Sequence, residues 1–148
     1  MENRQVIRKR QKARKLLVQA LYQAQLNHAD AAEIIAQFLT ENDTSKFDQT
    51  YFEQILKGIM REQNQIDAHI KNYLDRAVEL LNPVEFAVLR LSTYEFLHCI
   101  DIPFRVVIDE AISLCKTYGA VEGHRYVNGV LHQLASELRG EEVKHANK

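Results

Sequence analysis

The chain has 148 residues, of which 46% are hydrophobic and 26% are charged, which is enough apolar material for the core of one ordinary domain. Its five glycines and two prolines permit long helices and exclude an architecture of many short strands and turns. The absence of any apolar run of about eighteen residues excludes a membrane-spanning helix. The charged N-terminus lacks the apolar stretch of a secretory signal. We therefore expect a soluble, cytoplasmic protein.

The charges are distributed unevenly along the chain. The net charge is −1, yet seven of the nineteen Lys and Arg residues fall within the first fifteen positions, where Glu2 is the single acidic residue. The basic residues there are Arg4, Arg8, Lys9, Arg10, Lys12, Arg14 and Lys15. This density is typical of a surface that binds nucleic acid or an anionic membrane, with a solvated, disordered tail as the alternative. The acidic remainder of the chain favours a basic protein partner.

The first predicted helix runs from about Arg4 to Leu26. One apolar stripe recurs at helical spacing and is expected to face the core; it contains Ala13, Leu16, Leu17, Ala20, Leu21 and Ala24. Val18, Tyr22 and Leu26 follow at four-residue spacing on roughly the opposite side. These three residues predict either a second buried face or an exposed patch for a partner. The same patch is a candidate contact for a homodimer.

The middle of the chain predicts three more helical segments. Asp30 is suited to the N-cap of a short helix through Leu39, and a polar stretch at 41–46 is expected to be a loop. A longer helix is predicted from near Asp48 past Ile59, and a further segment continues to about Leu81.

The next helix, Val84–His98, has a strong start signal in Asn82 as N-cap and Pro83 at the first helical position. It is apolar on nearly every face, which predicts a position in the middle of a helical bundle. Arg90 lies among its apolar residues, and a structural ion pair with a carboxylate is the favoured interpretation.

Two helices complete the predicted fold, from about Arg105 to Tyr118 and from about Glu122 to Leu138, with Gly119 between them. The stretch 139–148 is predicted to be a short, frayed polar tail. The sequence thus predicts a single all-α domain over residues 1–148. It has six or seven helices and a basic N-terminal arm at about 1–12.

A second basic and aromatic cluster lies at the junction of these last two helices. It contains Lys116, Tyr118, His124, Arg125 and Tyr126. Cations that neutralise phosphates and aromatic rings on which bases stack are what single-stranded RNA binding requires. The alternative is that Tyr118 and Tyr126 are core residues with satisfied hydroxyls.

No pattern predicts catalysis or a cofactor. The six histidines show no metal-binding spacing, and Cys99 and Cys115 are expected to be reduced packing residues. Asp109 and Glu110 are adjacent and therefore point about 100° apart on a helix, so they are not a general acid–base pair. The sequence therefore predicts a non-enzymatic binding protein without a metal or cofactor.

Several stretches resemble the NusB family of bacterial transcription antitermination factors. Arg14–Tyr22 is similar to the family's "AR…A-Q-A-L-Y" opening, and the helix that begins at Val84 is similar to "E-x-A-x-L-R-x-x-x-Y-E". The most specific match is "IPFRVVIDEAISLCKTYGAVEGHRYVNGVL", from Ile102 to Leu131. The resemblance extends over about residues 8–138.

The resemblance implies two three-helix bundles packed across one another and binding to the boxA element in the leaders of ribosomal RNA transcripts. It also implies a heterodimer with NusE, the small-subunit ribosomal protein S ten, that joins other Nus factors and RNA polymerase in an elongation complex. By position, the RNA path would comprise Arg10, Lys12, Arg14, Tyr118, Glu122, His124, Arg125 and Tyr126. The charge clusters add Arg8 and Lys116. The residues facing NusE would be Tyr22, Leu26, Glu79 and Glu85, joined by Val18 from the helical pattern.

The chain departs from the family pattern at four positions, Gln11, Asp109, Gly123 and His132. Each departure affects individual RNA contacts rather than the fold. Two other functions stay open at this stage. One is an RNA-binding module related to the N-terminal domain of ribosomal RNA cytosine methyltransferases, and the other is a purely protein-binding adaptor.

Overall fold

A computed structural model of the protein describes residues 3–147, and within them every regular element is a helix. Met1 and Glu2 of the predicted basic arm and Lys148 of the predicted tail lie outside the described residues. The all-α prediction is confirmed, with eight α-helices in this range rather than six or seven. They are α1 (Arg4–Asn27), α2 (Ala31–Glu41), α3 (Gln49–Arg61), α4 (Gln63–Lys71), α5 (Pro83–His98), α6 (Phe104–Tyr118), α7 (Gly123–Leu138) and α8 (Gly140–Ala146).

The starts of α2, α3 and α5 follow from side chains that accept hydrogen bonds from otherwise unpaired amides of the first turn. Asp30 accepts from the Glu33 amide at 2.9 Å, and Asn82 accepts from the Val84 amide at 2.9 Å. Asp48 accepts from the Tyr51 amide at 3.0 Å. The predicted starts of α2, α3 and α5 are therefore confirmed.

The described chain forms two compact units, residues 3–61 and residues 62–147. In the first unit α1, α2 and α3 pack against one another as a three-helix bundle. Phe52 of α3 is fully buried and lies in ring contact with Phe38 and Phe47, at centroid distances of 5.6 and 5.9 Å. Aromatic burial of this kind supplies much of the stabilisation of a small bundle.

The second unit is built around α5, which contacts α4, α6 and α7. Nearly every residue of α5 from Glu85 to Phe96 is buried, so its predicted central position is confirmed. Arg90 of α5 donates two hydrogen bonds to Asp67 of α4, at 2.9 and 2.8 Å, which confirms the predicted ion pair. Within residues 3–147, no helix is both long and apolar enough to cross a membrane.

The helix predicted to continue to about Leu81 ends ten residues earlier, because α4 stops at Lys71. The Tyr73 amide donates to the Ile70 carbonyl at 3.0 Å, which tightens the last turn and ends the helix. Asn72 and Asp75 follow, and both residue types compete with the helix for backbone hydrogen bonds. A short 3₁₀ turn at Val78–Leu80 then leads to α5.

The prediction of a frayed tail is wrong for residues 140–146, which form α8. The reason is Arg139, whose buried guanidinium donates to the carbonyl oxygens of Phe96 at 2.7 Å and Cys99 at 2.9 Å, at the end of α5. Glu142 of α8 accepts from Arg139 at 2.6 Å and from the Phe104 amide at 2.8 Å. The start of α8 therefore caps the end of α5 and the beginning of α6.

Candidate nucleic-acid interface

The cations of α1 divide into exposed and tethered groups. Arg8 and Lys12 are exposed, as is Lys15. Arg10 is half-buried: its Nε donates to Asp48 at 3.2 Å, and its guanidinium lies 3.9 Å from the centroid of the Tyr51 ring. The exposed members are the ones that this structure offers to a phosphate group.

Two residues predicted to lie on binding surfaces of α1 are buried instead. Arg14 is 4% exposed and its guanidinium lies 5.7 Å from the Tyr51 ring centroid, while Val18 is 2% exposed. At 100° per residue the buried arc of α1 spans about 200°, wider than the predicted stripe, and it includes both positions. Val18 is therefore a core residue rather than part of a partner surface, and burial withdraws Arg14 from direct contact with a large ligand.

The other two members of the predicted apolar patch are exposed, Tyr22 at 37% and Leu26 at 60%. Both line a groove of about 440 Å³ between α1 and α2, together with Phe38. Gln23 of α1 and Gln37 of α2 are joined there by amide hydrogen bonds at 2.7 and 3.3 Å. The groove thus combines apolar side chains with side-chain amides, a composition suited to a protein partner.

The second candidate region, Cys115–Tyr126, is the bend that joins α6 to α7. Glu85 anchors the bend through its Oε2, which accepts a hydrogen bond from the Ala120 amide at 3.2 Å. Glu85 is 6% exposed, so the prediction that it faces a protein partner is wrong. The side chain belongs to the first turn of α5 and is turned inward, where it holds the bend.

Two glycines allow the bend to approach this carboxylate. A Cβ at Gly123 would overlap Glu85 Oε2, and a Cβ at Gly119 would lie 2.8 Å from the carbonyl oxygen of Cys115. Gly119 has an extended backbone with φ −86°, so it is required for space rather than for a left-handed conformation. Any larger residue at position 123 would overlap the Glu85 carboxylate as it lies here.

The outer surface of the bend carries most of the predicted RNA-binding side chains. Lys116 is exposed, Tyr118 is 37% exposed and His124 is half-buried. Glu122 has a left-handed backbone with φ 70°, a conformation that costs a non-glycine residue about 1 kcal/mol. Its carboxylate pairs with Arg125 at 2.7 Å, and both side chains are largely exposed.

Tyr126 at the end of the bend contacts residues that sequence reasoning missed. Its hydroxyl oxygen accepts a hydrogen bond from the Asp75 amide at 3.3 Å, and the Arg76 guanidinium lies 4.2 Å from the centroid of its ring. Asp75 in turn accepts from Arg76 at 2.7 and 3.3 Å. Burial is the main cause of a raised pKa of Tyr126, and the hydrogen bond from Arg76 is the main cause of a lowered pKa of Asp75.

Arg76 and Tyr126 form one wall of a cleft of about 430 Å³, and Glu85 lines the same cleft. Its rim carries Val121, which is 92% exposed, and Leu80, which is 72% exposed. The sequence does not predict Asp75 and Arg76 as site residues, because the helical pattern predicts that the helix continues past Lys71. The signal that could have indicated a loop there is the pair Asn72 and Asp75, which precede the 3₁₀ turn at Val78–Leu80.

The remaining predicted partner residue, Glu79, is exposed on the 3₁₀ turn Val78–Leu80. Both cysteines are free thiols, with Cys115 buried and Cys99 half-buried. Burial, reinforced by the negative charge of Glu85, raises the pKa of Cys115 to about 12. Among residues 3–147, no three His, Cys, Asp or Glu side chains are grouped closely enough to hold a metal ion.

Comparison with known proteins identifies relatives of the whole chain. The model of the NusB family matches residues 11–136. The transcription antitermination protein NusB of Pseudomonas putida (strain W619) is 51% identical over 140 residues, which cover 95% of this chain and 84% of the relative. The protein of the same name from Legionella pneumophila (strain Corby) is 45% identical over 145 residues, which cover 98% of this chain and 99% of the relative. These names describe transcription factors rather than enzymes.

Two solved structures share the fold. NusB from T. maritima superposes with a TM-score of 0.80 at 29% sequence identity, covering 97% of this chain and 99% of that one. A structure described as the antitermination factors NusB and NusE in complex with dsRNA gives a TM-score of 0.75 at 25% identity, covering 88% of this chain and 98% of that one. The second comparison shows that a protein similar to this chain has been seen with both a protein partner and RNA.

Proposed function

Because the chain belongs to the NusB family, we propose that it is a transcription antitermination factor that binds the boxA RNA of ribosomal RNA leaders as a heterodimer with NusE. In this role it supports processive transcription of ribosomal RNA within an elongation complex that contains RNA polymerase and other Nus factors. Transcription by such a complex places the protein in the cytoplasm.

The observation that carries the RNA-binding part is the charge at the start of α1. Seven cations fall within the first fifteen residues, and Arg8, Lys12 and Lys15 among them are exposed on a helix. Exposed cations at helical spacing neutralise successive phosphates and displace the counterions of the RNA. The bend Cys115–Tyr126 supplies what the start of α1 lacks, namely aromatic rings for unstacked bases.

We assign the RNA surface to residues whose side chains reach solvent. Among the predicted RNA-binding residues of α1 these are Arg8 and Lys12, with Arg10 as a partly tethered third. On the bend they are Lys116, Tyr118, Glu122, His124, Arg125 and Tyr126. Arg14 is left with a supporting role, since its guanidinium is buried beside Tyr51.

We assign the partner surface to the groove lined by Tyr22 and Leu26, with Glu79 as a separate acidic contact. The described chain outside the first fifteen residues is acidic on balance, which suits a basic ribosomal protein. The same groove is the candidate surface for a homodimer when the partner is absent.

The test is a gel shift with boxA RNA, with and without NusE, at several salt concentrations. We expect binding that tightens in the presence of NusE and weakens steeply on a log–log plot against salt, because several phosphates are neutralised. Scrambled RNA and a duplex of the same sequence serve as controls. Equal affinity for boxA and scrambled RNA with NusE present would refute the proposed specificity. No RNA binding under any condition would favour the protein-binding adaptor instead.

Single substitutions distinguish the proposed RNA surface from the proposed partner surface. Tyr22→Ala is expected to weaken NusE binding on the order of tenfold, because an exposed aromatic side chain anchors a protein contact, and to leave the affinity for RNA measured without NusE unchanged. Ile100→Ala is the matched control, since Ile100 is also a large apolar side chain, 77% exposed, and lies outside the groove. Equal losses in both assays would mean that the two ligands share one surface.

A further inference from the structure

One cation of α1 already has a carboxylate partner within the protein. Arg10 donates from Nε to Asp48 Oδ2 at 3.2 Å, and each of the two side chains is 28% exposed. Arg8 and Lys12 are more exposed than Arg10. A carboxylate so close to a partly buried guanidinium offsets much of its charge, so Arg10 attracts a polyanion less strongly than an exposed, unpaired arginine does.

The carboxylate of this pair is held in place from two sides. Asp48 Oδ1 accepts a hydrogen bond from the Tyr51 amide at 3.0 Å, which caps the start of α3. The Asp48 amide donates to the Lys9 carbonyl oxygen at 3.0 Å, which joins that cap to α1. Because both its backbone and its side chain are held, Asp48 stays beside α1 when Arg10 turns toward another anion.

A second cation lies close to the same pair. The Arg10 guanidinium is 3.9 Å from the centroid of the Tyr51 ring, and the Arg14 guanidinium is 5.7 Å from the same centroid. Two like charges one helical turn apart therefore lie beside one ring. The negative charge of Asp48 reduces the repulsion between them, and its loss would favour movement of Arg10 away from Arg14 and toward solvent.

We propose that Asp48 competes with RNA phosphate for Arg10 and thereby lowers the affinity of α1 for single-stranded RNA of any sequence. A phosphate that binds Arg10 must displace the Asp48 carboxylate or lie beside it, within the screening length of about 8 Å at physiological ionic strength. The inference rests on the proposed RNA-binding function and adds a residue that limits it. Because phosphate contacts carry no base information, the effect is the same for boxA and for scrambled RNA.

Asp48→Asn removes the competing charge and keeps the helix cap. Asn is as effective an N-cap as Asp, so its side-chain oxygen retains the bond from the Tyr51 amide. Its NH₂ group replaces Oδ2 and offers no acceptor to Arg10. The substitution therefore releases Arg10 without removing the start of α3.

The experiment measures binding of the full chain, with NusE present, to boxA RNA and to scrambled RNA at several salt concentrations. We expect Asp48→Asn to raise the affinity for both RNAs on the order of threefold, which corresponds to the strength of a partly exposed ion pair. The log–log slope against salt should become steeper by about 0.7, the value for one additional phosphate contact to a single strand.

Asp43→Asn is the matched control. Asp43 belongs to the same unit and also caps a helical turn, but its carboxylate accepts from the amide and the hydroxyl of Ser45, at 3.0 and 2.7 Å. The substitution changes the net charge by the same amount and leaves the pair of Arg10 with Asp48 intact. We expect no change in the salt slope and a smaller change in affinity than for Asp48→Asn.

A double-mutant cycle shows whether Asp48 acts through Arg10. In an Arg10→Ala background, Asp48→Asn is expected to leave the salt slope unchanged, because the cation that it would release is absent. Circular dichroism of each variant establishes that its helices are retained.

Two outcomes overturn the inference while leaving the proposed function intact. In the first, RNA binds with a steep salt dependence, yet Asp48→Asn leaves the affinity unchanged or lowers it. In the second, Asp48→Asn raises the affinity and steepens the slope equally in the parent chain and in Arg10→Ala. Absence of any salt-sensitive RNA binding would remove the proposed function and this inference together.

Discussion

The start of α1 and the bend Cys115–Tyr126 carry most of the predicted RNA-binding residues, and they are built in opposite ways. The side chains of Arg8 and Lys12 are exposed to solvent. In the bend, a buried carboxylate, two closely packed glycines and a stacked arginine–tyrosine pair determine one another's positions. Exposed cations of this kind suit any polyanion, whereas the bend has the fixed geometry that a specific contact requires.

If the bend is rigid and excludes water, the Cys115 thiol should react very slowly with alkylating reagents. The pKa of Cys115 is raised to about 12, first by burial and then by the charge of Glu85. At neutral pH this lowers the thiolate fraction on the order of a thousandfold relative to an ordinary cysteine. In a Cys99→Ala variant we expect negligible alkylation of Cys115 until denaturant is added. Labelling at the rate of a model thiol would show that the bend opens freely.

The same thiol gives a pH dependence with a definite sign. The folded-state pKa lies above the ordinary value of 9.0, so the stabilising contribution is complete below pH 9.0. It is lost as the pH rises from 9.0 to about 12, because the unfolded chain releases the proton first. Glu85→Gln removes one of the two causes and should therefore lower the pKa of Cys115.

Adding a methyl group at Gly123 should disrupt the packing of the bend and leave the structure of α1 unchanged. Its Cβ would overlap Glu85 Oε2, so the carboxylate must move and give up its bond to Ala120. We expect Gly123→Ala to lower the free energy of unfolding by about 2 kcal/mol, as for other overpacked sites. Gly129→Ala is the matched control in the interior of α7, because its added methyl would meet no atom within 4 Å apart from the adjoining residues and the local helix backbone.

The control should change stability in the opposite direction. Alanine favours a helix interior over glycine by up to about 1 kcal/mol, so Gly129→Ala is expected to stabilise the protein. Urea unfolding of both variants gives the two values. Equal stability of Gly123→Ala and the parent chain would mean that Glu85 moves aside at no cost.

The smallest expected effect belongs to the start of α1. Replacing Arg8 and Lys12 together by Ala should weaken RNA binding on the order of tenfold and reduce the salt slope by about 1.4, that is, about 0.7 for each lost phosphate contact to a single strand. The free energy of unfolding should stay unchanged, because both side chains are exposed. An unaltered slope would show that Arg8 and Lys12 are exposed to solvent but do not contact RNA phosphates.

Local signals predicted most of the fold. Asn82 and Pro83 determined the start of α5, and the uniformly apolar composition of α5 predicted its central position. The loop after α4 had a weak local signal in Asn72 and Asp75, but the contacts that hold the loop and the helix α8 in place involve distant partners. Tyr126 and Arg139 satisfy groups about fifty and forty residues away in the chain, and no local pattern contains that information.

The candidate site was predicted less completely than the fold. Charge and aromatic content identified the start of α1 and the outer surface of the bend. Periodicity misplaced Val18, because it did not show how wide the buried arc of α1 is. The family resemblance misplaced Glu85, because a match by position does not show whether a carboxylate lies in water or is turned inward. Arg76 had no signal of its own, since its partner Tyr126 lies fifty positions further along the chain.

Arg139 has a consequence for the order in which the second unit acquires its structure. Its guanidinium binds the carbonyl of Phe96, 43 positions earlier in the chain. Until α6 and α7 have formed and brought these ends together, the last carbonyls of α5 remain hydrated. Closing so long an intervening loop is entropically unfavourable and comes late. We therefore expect the last turn of α5 to be completed late in the folding of the second unit.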